Sequence, residues 1–303
     1  MSVAELEAAE IQLEASTGGL WSDAWYQVIR NPGAILGACF VLMFLVAAIF
    51  APVIAPYGPK EGNLLLVATG KPPGPSWHHL FGVDLLGRDV FSRILYGARD
   101  SLLVGIVSVS IGLSIGLVLG SIAGYIGGWI DSVIMRLMDI MLAIPGLLFA
   151  IGIVAMLQPG LYQIMIAIGV VNVPIFARLL RGAILAQREN DFVLAARAVG
   201  VKRRAILFSH IMPNAISPVI VAGTLAMGTA IIDVAGLTFL GLGPPDPATP
   251  EWGTMLTGAN DYLELAPFLA IFPGVAIIIS VLGFNLIGDG LREALDPKMR
   301  GRA

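Results

Sequence analysis

NDFVLAARAVGVKRRAILFSHIMPN, residues 190–214, is the stretch whose reading sets the fold. It is the heart of a segment, residues 178–214, that holds seven of the 18 Lys and Arg in a chain of 303 residues. Uncharged apolar runs flank that segment on both sides. A basic, partly helical stretch between such runs is a loop projecting from a membrane protein, suited to docking on a cytoplasmic partner.

The apolar runs can be followed outward from there. The chain is 57% apolar and 13% charged, about half the charge of an ordinary soluble domain. No Asp, Glu, Lys or Arg occurs in residues 31–59, 101–130, 140–177, 205–232 or 265–288. A helix needs roughly 20 apolar residues to cross the hydrocarbon. Four windows therefore hold one helix each, and residues 140–177 hold most of two, with Gln158, Pro159 and Gly160 as the turn between them. The expected fold is all-α with six transmembrane helices, near 35–54, 102–125, 134–157, 161–177, 216–237 and 267–288.

Basic residues orient the chain. Residues 241–266 carry four acids and no Lys or Arg, whereas the tail after Gly288 carries Arg292, Lys298, Arg300 and Arg302. The 178–214 loop and both termini are thus expected in the cytoplasm. Lys60, Lys71, Arg88, Arg93 and Arg99 run against this, but they sit in a long loop, where the charge rule is weak. The chain divides into a cytoplasmic segment (1–33), a first transmembrane helix (34–56), an extracytoplasmic loop (57–101), a five-helix core (102–288) and a cytoplasmic tail (289–303). The first thirty residues lack the pattern of a cleaved signal peptide. Residues 3–15 are either a short amphipathic helix or a solvated tail. Cys39, the lone cysteine, excludes an intrachain disulfide and reads as a small apolar filler in the first membrane helix.

Small residues recur every fourth position at Ser108, Gly112, Gly116, Gly120, Gly124 and Gly128. Such a face lets two helix backbones approach closely, inside the subunit or against another one. Proline interrupts other helices at Pro145, Pro174, Pro218 and Pro273, which suits a protein that rocks between states and also static membrane proteins. Within 81–102, Val90, Phe91, Ile94 and Leu95 share one helical face, and Arg88, Asp89, Ser92 and Arg93 the other. That pattern fits a helix lying in the membrane interface, or one packed on the protein's own outer surface.

Catalytic constellations are absent. His78 and His79 are adjacent and His210 lies across the membrane, with no paired cysteines, no zinc motif, no Ser/His/Asp grouping and no nucleotide-cradling Gly-Lys-Ser/Thr loop. An ATP-driven process would draw its energy from another chain. Arg136 and Asp139 read as a helix-internal pair. Asp233, late in the fifth helix, either lines a substrate path or hydrogen-bonds to a neighbouring helix. Thr224, Met227 and Gly228 join it as path candidates, since the fifth helix directly follows the basic loop. In that loop Asp191 is placed to cap a helix. Phe192, Ala195, Ala196 and Val199 follow as a narrow apolar stripe, and Gly200 stops the helix. A second helix, 202–210, ends near Pro213. The stripe presents a ridge to a groove on a soluble protein, or folds back on its own membrane helices.

Ala195-Ala196, Gly200 and Pro213 at these distances resemble the cytoplasmic loop signature of ABC-importer permeases, Glu-Ala-Ala…Gly…Ile-x-Leu-Pro. Leu194, His210 and Met212 stand where that pattern has Glu, Ile and Leu, so the ionic contact of the Glu with an ATPase does not carry over. LGRDVFSRILYGARDSL (86–102), FLGLGPPDPATPEWGTML (239–256) and FNLIGDGLREALDPKMR (284–300) further resemble the C-type permeases of dipeptide and oligopeptide importers. The resemblance implies a permease of the bacterial plasma membrane, embedded in lipid and working by alternating access. It implies a heterodimer with a second permease, two cytoplasmic ATPases that carry the ATP and Mg2+, and an extracytoplasmic substrate-binding protein. It implies no catalytic residue, metal, cofactor or nucleic acid on this chain. Within the 178–214 loop, with Asp191 and Pro213 among its residues, the Phe192–Gly200 helix becomes the ATPase-coupling element, moving the fourth and fifth helices. Nickel and glutathione importers share these motifs. An ion- or proton-coupled carrier is the rival of a different class, and the lack of a buried acid relay argues against it.

Overall fold

The computed structural model describes residues 20–68 and 70–295. The amphipathic spacing at 3–15 and the tail beyond Leu295 lie outside the described residues. Ten α-helices of eight residues or more organise the described residues: α1 Leu20–Val28, α2 Pro32–Ile54, α3 Val90–Ile126, α4 Gly128–Ala143, α5 Gly146–Leu157, α6 Leu161–Arg188, α7 Asp191–Ala198, α8 Ser217–Leu237, α9 Trp252–Ala259 and α10 Phe268–Leu295. No strand occurs among the described residues, only two isolated bridges, Gly62 with Arg88 and Val83 with Asp89. Five helices are long and apolar enough to cross a membrane, and α4 with α5 makes a sixth span if that pair counts as one.

Local chemistry sets these boundaries. Asn31 caps α2 by accepting the Ala34 amide at 3.0 Å, and Pro32 takes the first helical position, where no N–H is needed. Asp89 caps α3, its carboxylate accepting the Ser92 amide at 2.7 Å. The expected 134–157 helix is instead two helices bent by 93°. Ile144, held extended by the following proline (ψ 128°), and Pro145, which has no N–H to give, explain the break.

The core is built on α3 and α6. Their small residues meet backbone to backbone, so the four-residue repeat is an internal seam. A methyl added at Gly112 would lie 2.8 Å from the Gly169 carbonyl, at Gly116 2.6 Å from Phe176 Cβ, at Gly120 2.6 Å from the Ala177 carbonyl, and at Gly124 3.1 Å from Ile184 Cβ. Gly128 leaves the series, because the chain turns at Gly127 and begins α4. Phe176, Leu180 and Ile184 of α6 are fully buried behind this seam. Two carboxylates of α4 anchor it to α6: Asp131 takes a forked pair from Arg181 at 2.6 and 3.0 Å, and Asp139 pairs with Arg178. The Arg136–Asp139 pairing expected from sequence is therefore replaced by one between helices, and Arg136 is exposed.

The helix expected within 81–102, either in the membrane interface or packed on the protein's own outer surface, is the first part of α3, continuous with the membrane span. Its polar side is not exposed: Arg88, Asp89, Ser92 and Arg93 are all buried. They form a knot with the loop before α9. The Arg93 guanidinium donates to the Pro59 and Ala248 carbonyls at 3.3 Å and to Thr249 at 3.2 Å, and Arg88 donates to Asp84 at 2.7 Å and to the Pro247 carbonyl at 3.3 Å. Carbonyls and one carboxylate satisfy charges that burial would otherwise expel. Trp252, fully buried, donates its indole N–H to the Ile94 carbonyl at 3.1 Å. Glu251 caps α9 through the Gly253 and Thr254 amides, and burial pushes its carboxyl up from the usual range against those two hydrogen bonds.

Candidate functional site

The basic loop begins later than its composition implies, because α6 runs unbroken to Arg188. Arg178 and Arg181 are thus helical residues facing α4. What projects is α7 and the turn after it. Asn190, not Asp191, occupies the cap position, and Asp191 lies in the first turn, where its charge still favours the helix N-terminus. Gly200 ends the helix with φ +79°. Its amide donates to the Arg197 carbonyl and the Val201 amide to Ala196, each at 3.1 Å, the paired closure that a left-handed residue permits. The second helix is irregular: an α-turn Arg203–Ala205, a π-helix Ile206–Ile211 and another α-turn Met212–Ala215. Pro213 begins that last turn instead of ending the helix.

The expected stripe on α7 lies along the boundary between its buried and its exposed side. Val193 and Ala196 are buried in the main core with Ile206, Leu207 and Ile211. Phe192, Leu194, Ala195 and Val199 are exposed, Val199 to 80%. Helical periodicity explains the split, since Ala196 falls on the inward side with Val193, three residues apart. Ala196 is therefore a packing residue. Leu194, which stands where the family pattern has Glu, belongs to the exposed side. Two hydrogen bonds tie the element to α3: Arg188 donates to the Gly124 carbonyl at 2.8 Å and the Tyr125 hydroxyl to the Arg203 carbonyl at 2.7 Å. The result is an apolar ridge on a short helix, fixed to the two central helices of the fold.

The path candidates on α8 do not share one face. Gly228 is buried against α10, and a methyl there would meet Asn285 at 3.3 Å and Val281 at 3.4 Å. It is a packing position and leaves no room for a substrate. Met227 packs between the two main cores. Thr224 is half-buried and returns its hydroxyl proton to the Ile220 carbonyl at 3.0 Å. Asp233 is exposed on the opposite side and has no hydrogen-bond or ion-pair partner among the described residues. Thr229, four residues earlier, shares that outward face. Its helical spacing from Asp233 was the available signal.

Relatives and folds agree with this architecture. Residues 116–301 match the family described as binding-protein-dependent transport system inner membrane component, and residues 19–73 match the N-terminal transmembrane domain of oligopeptide transport permease C. The chain is 49% identical to the dipeptide transport system permease protein DppC of Alkalihalophilus pseudofirmus, over 92% of this chain and 90% of the relative. It is 46% identical to the di/tripeptide transport system permease protein DppC of Pseudomonas aeruginosa, over 92% of each. It is 47% identical to the glutathione transport system permease protein GsiD of Shigella flexneri, over 93% of this chain and 91% of that one. The MetNI methionine ABC transporter, solved in inward-facing conformations, has a chain of similar fold, with TM-score 0.57, 18% identity, and coverage of 67% of this chain and 96% of that one. By the extent of these matches and by its fold, the chain belongs to the binding-protein-dependent transport system inner membrane components, the permease subunits of ABC importers.

Proposed function

We propose that this permease carries peptides of a few residues and that α7 is the element through which ATP-driven motion reaches it. A component of this family acts with ATPase subunits, a further permease subunit and a binding protein. In the finer reading it pairs with one second permease and two ATPases, which hold the ATP and Mg2+, and it binds no cofactor itself. The exposed side of α7 carries the reading. Four apolar residues face outward on a helix whose other side is locked into the α3–α6 core, so a push on the ridge is delivered to the membrane helices. Docking burial at Phe192 and Val199 would contribute about 1.5–3 kcal/mol each at most. Closure of the ATPases on this ridge would then rock α6 and α8, alternating access between the two sides.

Orientation belongs to the same proposal: the ridge and both termini face the cytoplasm, and the knot around Arg93 faces outward. Ser92 is buried and cannot report this. Trp77 is 95% exposed in the 57–89 segment. Trp77→Cys in a Cys39→Ser background is expected to react in intact cells with an impermeant thiol reagent. Labelling only after permeabilisation would reverse the topology.

Asp233, with Thr229, marks the face of α8 that this chain leaves open, and we assign it to the substrate path. A carboxylate there would meet the amino terminus of a peptide. Asp233→Asn is expected to slow peptide uptake severalfold with assembly and ATP hydrolysis intact. Lost assembly, or unchanged uptake, would return Asp233 to a structural role. The names of the relatives favour dipeptides and tripeptides first, with glutathione as the second reading because GsiD is nearly as similar. Uptake of a labelled dipeptide in competition with glutathione separates the two. Family membership sets the ion-coupled carrier aside.

A further inference from the structure

A cleft of about 580 Å3 opens at the inner end of α3, between that helix, the last turn of α6, the end of α7 and the α-turn that follows. Arg188, Arg197 and Arg203 line it, with Tyr125 and Ile126, and no Asp or Glu does. None of the three arginines has an ion pair among the described residues. Arg188 is steadied by the Gly124 carbonyl, and the backbone of Arg203 by the Tyr125 hydroxyl. Three guanidinium groups around one cleft, without a carboxylate, repel one another until an anion enters. The planar fork of arginine suits a phosphate, which offers several oxygens to several donors.

The surroundings say which phosphate. Val118, Ile122 and Ile126 are exposed at intervals of four, so one apolar strip of α3 runs from the membrane span into the rim of the cleft. Trp129, 75% exposed, follows that strip in the chain, and indoles favour the boundary between hydrocarbon and water. A soluble phosphate would use the arginines and leave the strip idle. A lipid would use both.

We propose that this cleft binds the phosphate of an anionic phospholipid, whose acyl chain lies along Val118, Ile122 and Ile126. The inference rests on the cytoplasmic placement of the 178–214 segment and does not need α7 to contact an ATPase. Because Arg188, Arg197 and Arg203 sit before, within and after α7 respectively, a bound headgroup fastens the three parts of the element to one point on the membrane. Lipid composition would then set how freely that element moves.

The test uses the full transport complex purified in detergent and titrated with phosphatidylglycerol or phosphatidylcholine, with retained lipid counted by native mass spectrometry. Phosphatidylglycerol is expected to be retained in preference, and the Arg197→Gln/Arg203→Gln double variant to lower that retention about tenfold. Both side chains are exposed, so the fold should survive; Arg197→Lys/Arg203→Lys keeps the charge and loses the fork, and should fall between. Equal retention by the wild type and the glutamine variant overturns the proposal, as does equal retention of the two lipids. Displacement of phosphatidylglycerol by inorganic phosphate would assign the arginines to a soluble anion and overturn the lipid. ATPase content is scored in the same spectra: normal assembly with lost lipid preference supports a site separate from the docking ridge, whereas lost assembly with unchanged lipid preference speaks against this site and leaves the ridge standing.

Discussion

Gly116→Leu is expected to abolish accumulation of folded protein, and Gly116→Ala to destabilise it by about 1–3 kcal/mol, the usual cost of overpacking a tight contact. The alanine methyl would lie 2.6 Å from Phe176 Cβ and 3.0 Å from the Val173 carbonyl. Neither neighbour can yield, since one is the root of a fully buried side chain and the other is backbone. The leucine would force α3 and α6 apart along the whole seam. Lipid offers these helices no hydrophobic drive to associate, so close packing is most of what holds them together. Gly182→Ala is the control: nothing lies within 4 Å of the added methyl. It should be neutral or slightly stabilising, because alanine is the better helix former by about 1 kcal/mol. Thermal unfolding in detergent, followed by loss of monodisperse protein, reads all three. A Gly116→Leu variant as stable as the wild type would show that the seam is not what joins the two helices.

The second large effect is expected at the ridge. Val199→Asp should leave membrane insertion and permease pairing intact and remove the ATPases from the purified complex. A charge forced into a desolvated contact without a partner costs about 3–5 kcal/mol, enough to dissociate a docking site of this size. Ala196→Asp tests a different thing. Ala196 is packed into the protein's own core, so that variant should fail to fold, and loss of uptake in it says nothing of docking. Co-purification of the ATPases with each variant, alongside its yield in the membrane, distinguishes the two results. Normal ATPase content in Val199→Asp would remove α7 from the coupling role.

The membrane spans were legible because hydrocarbon demands long uncharged runs, and all five uncharged windows lie on helices found in the structure. The repeat of small residues was equally legible, since only backbone contact explains a glycine every fourth position. Whether it faced inward or toward another subunit was not, because both partners would be apolar helices. Charge does not mean exposure in this chain. Arg88 and Arg93 read as the polar face of a helix at the protein's edge, in the membrane interface or on its outer surface, yet carbonyls from residues 59 and 247–249, remote in the chain, satisfy them in the interior. Arg178 and Arg181 read as loop because they are basic, yet each finds a carboxylate on α4 and stays helical. On α7 the composition announced an interaction surface, but a stripe of Phe192, Ala195, Ala196 and Val199 lies on one face without saying where that face points, and only the packing of Val193 beside Ala196 shows that one edge of it turns inward. Gly228 illustrates the same limit on α8: a small residue is needed equally to make room for a substrate and to let another helix approach.

The docking of α7 on an ATPase is the claim on which the functional account turns, and one crosslink tests it directly. A photoreactive benzophenone attached at Val199→Cys, in the Cys39→Ser background, is placed on the most exposed large apolar position of the ridge. In the assembled complex in lipid nanodiscs, irradiation is predicted to join this chain to an ATPase subunit, with a yield that changes when ATP is added. Crosslinking only to lipid or to the second permease, with or without ATP, would contradict the account.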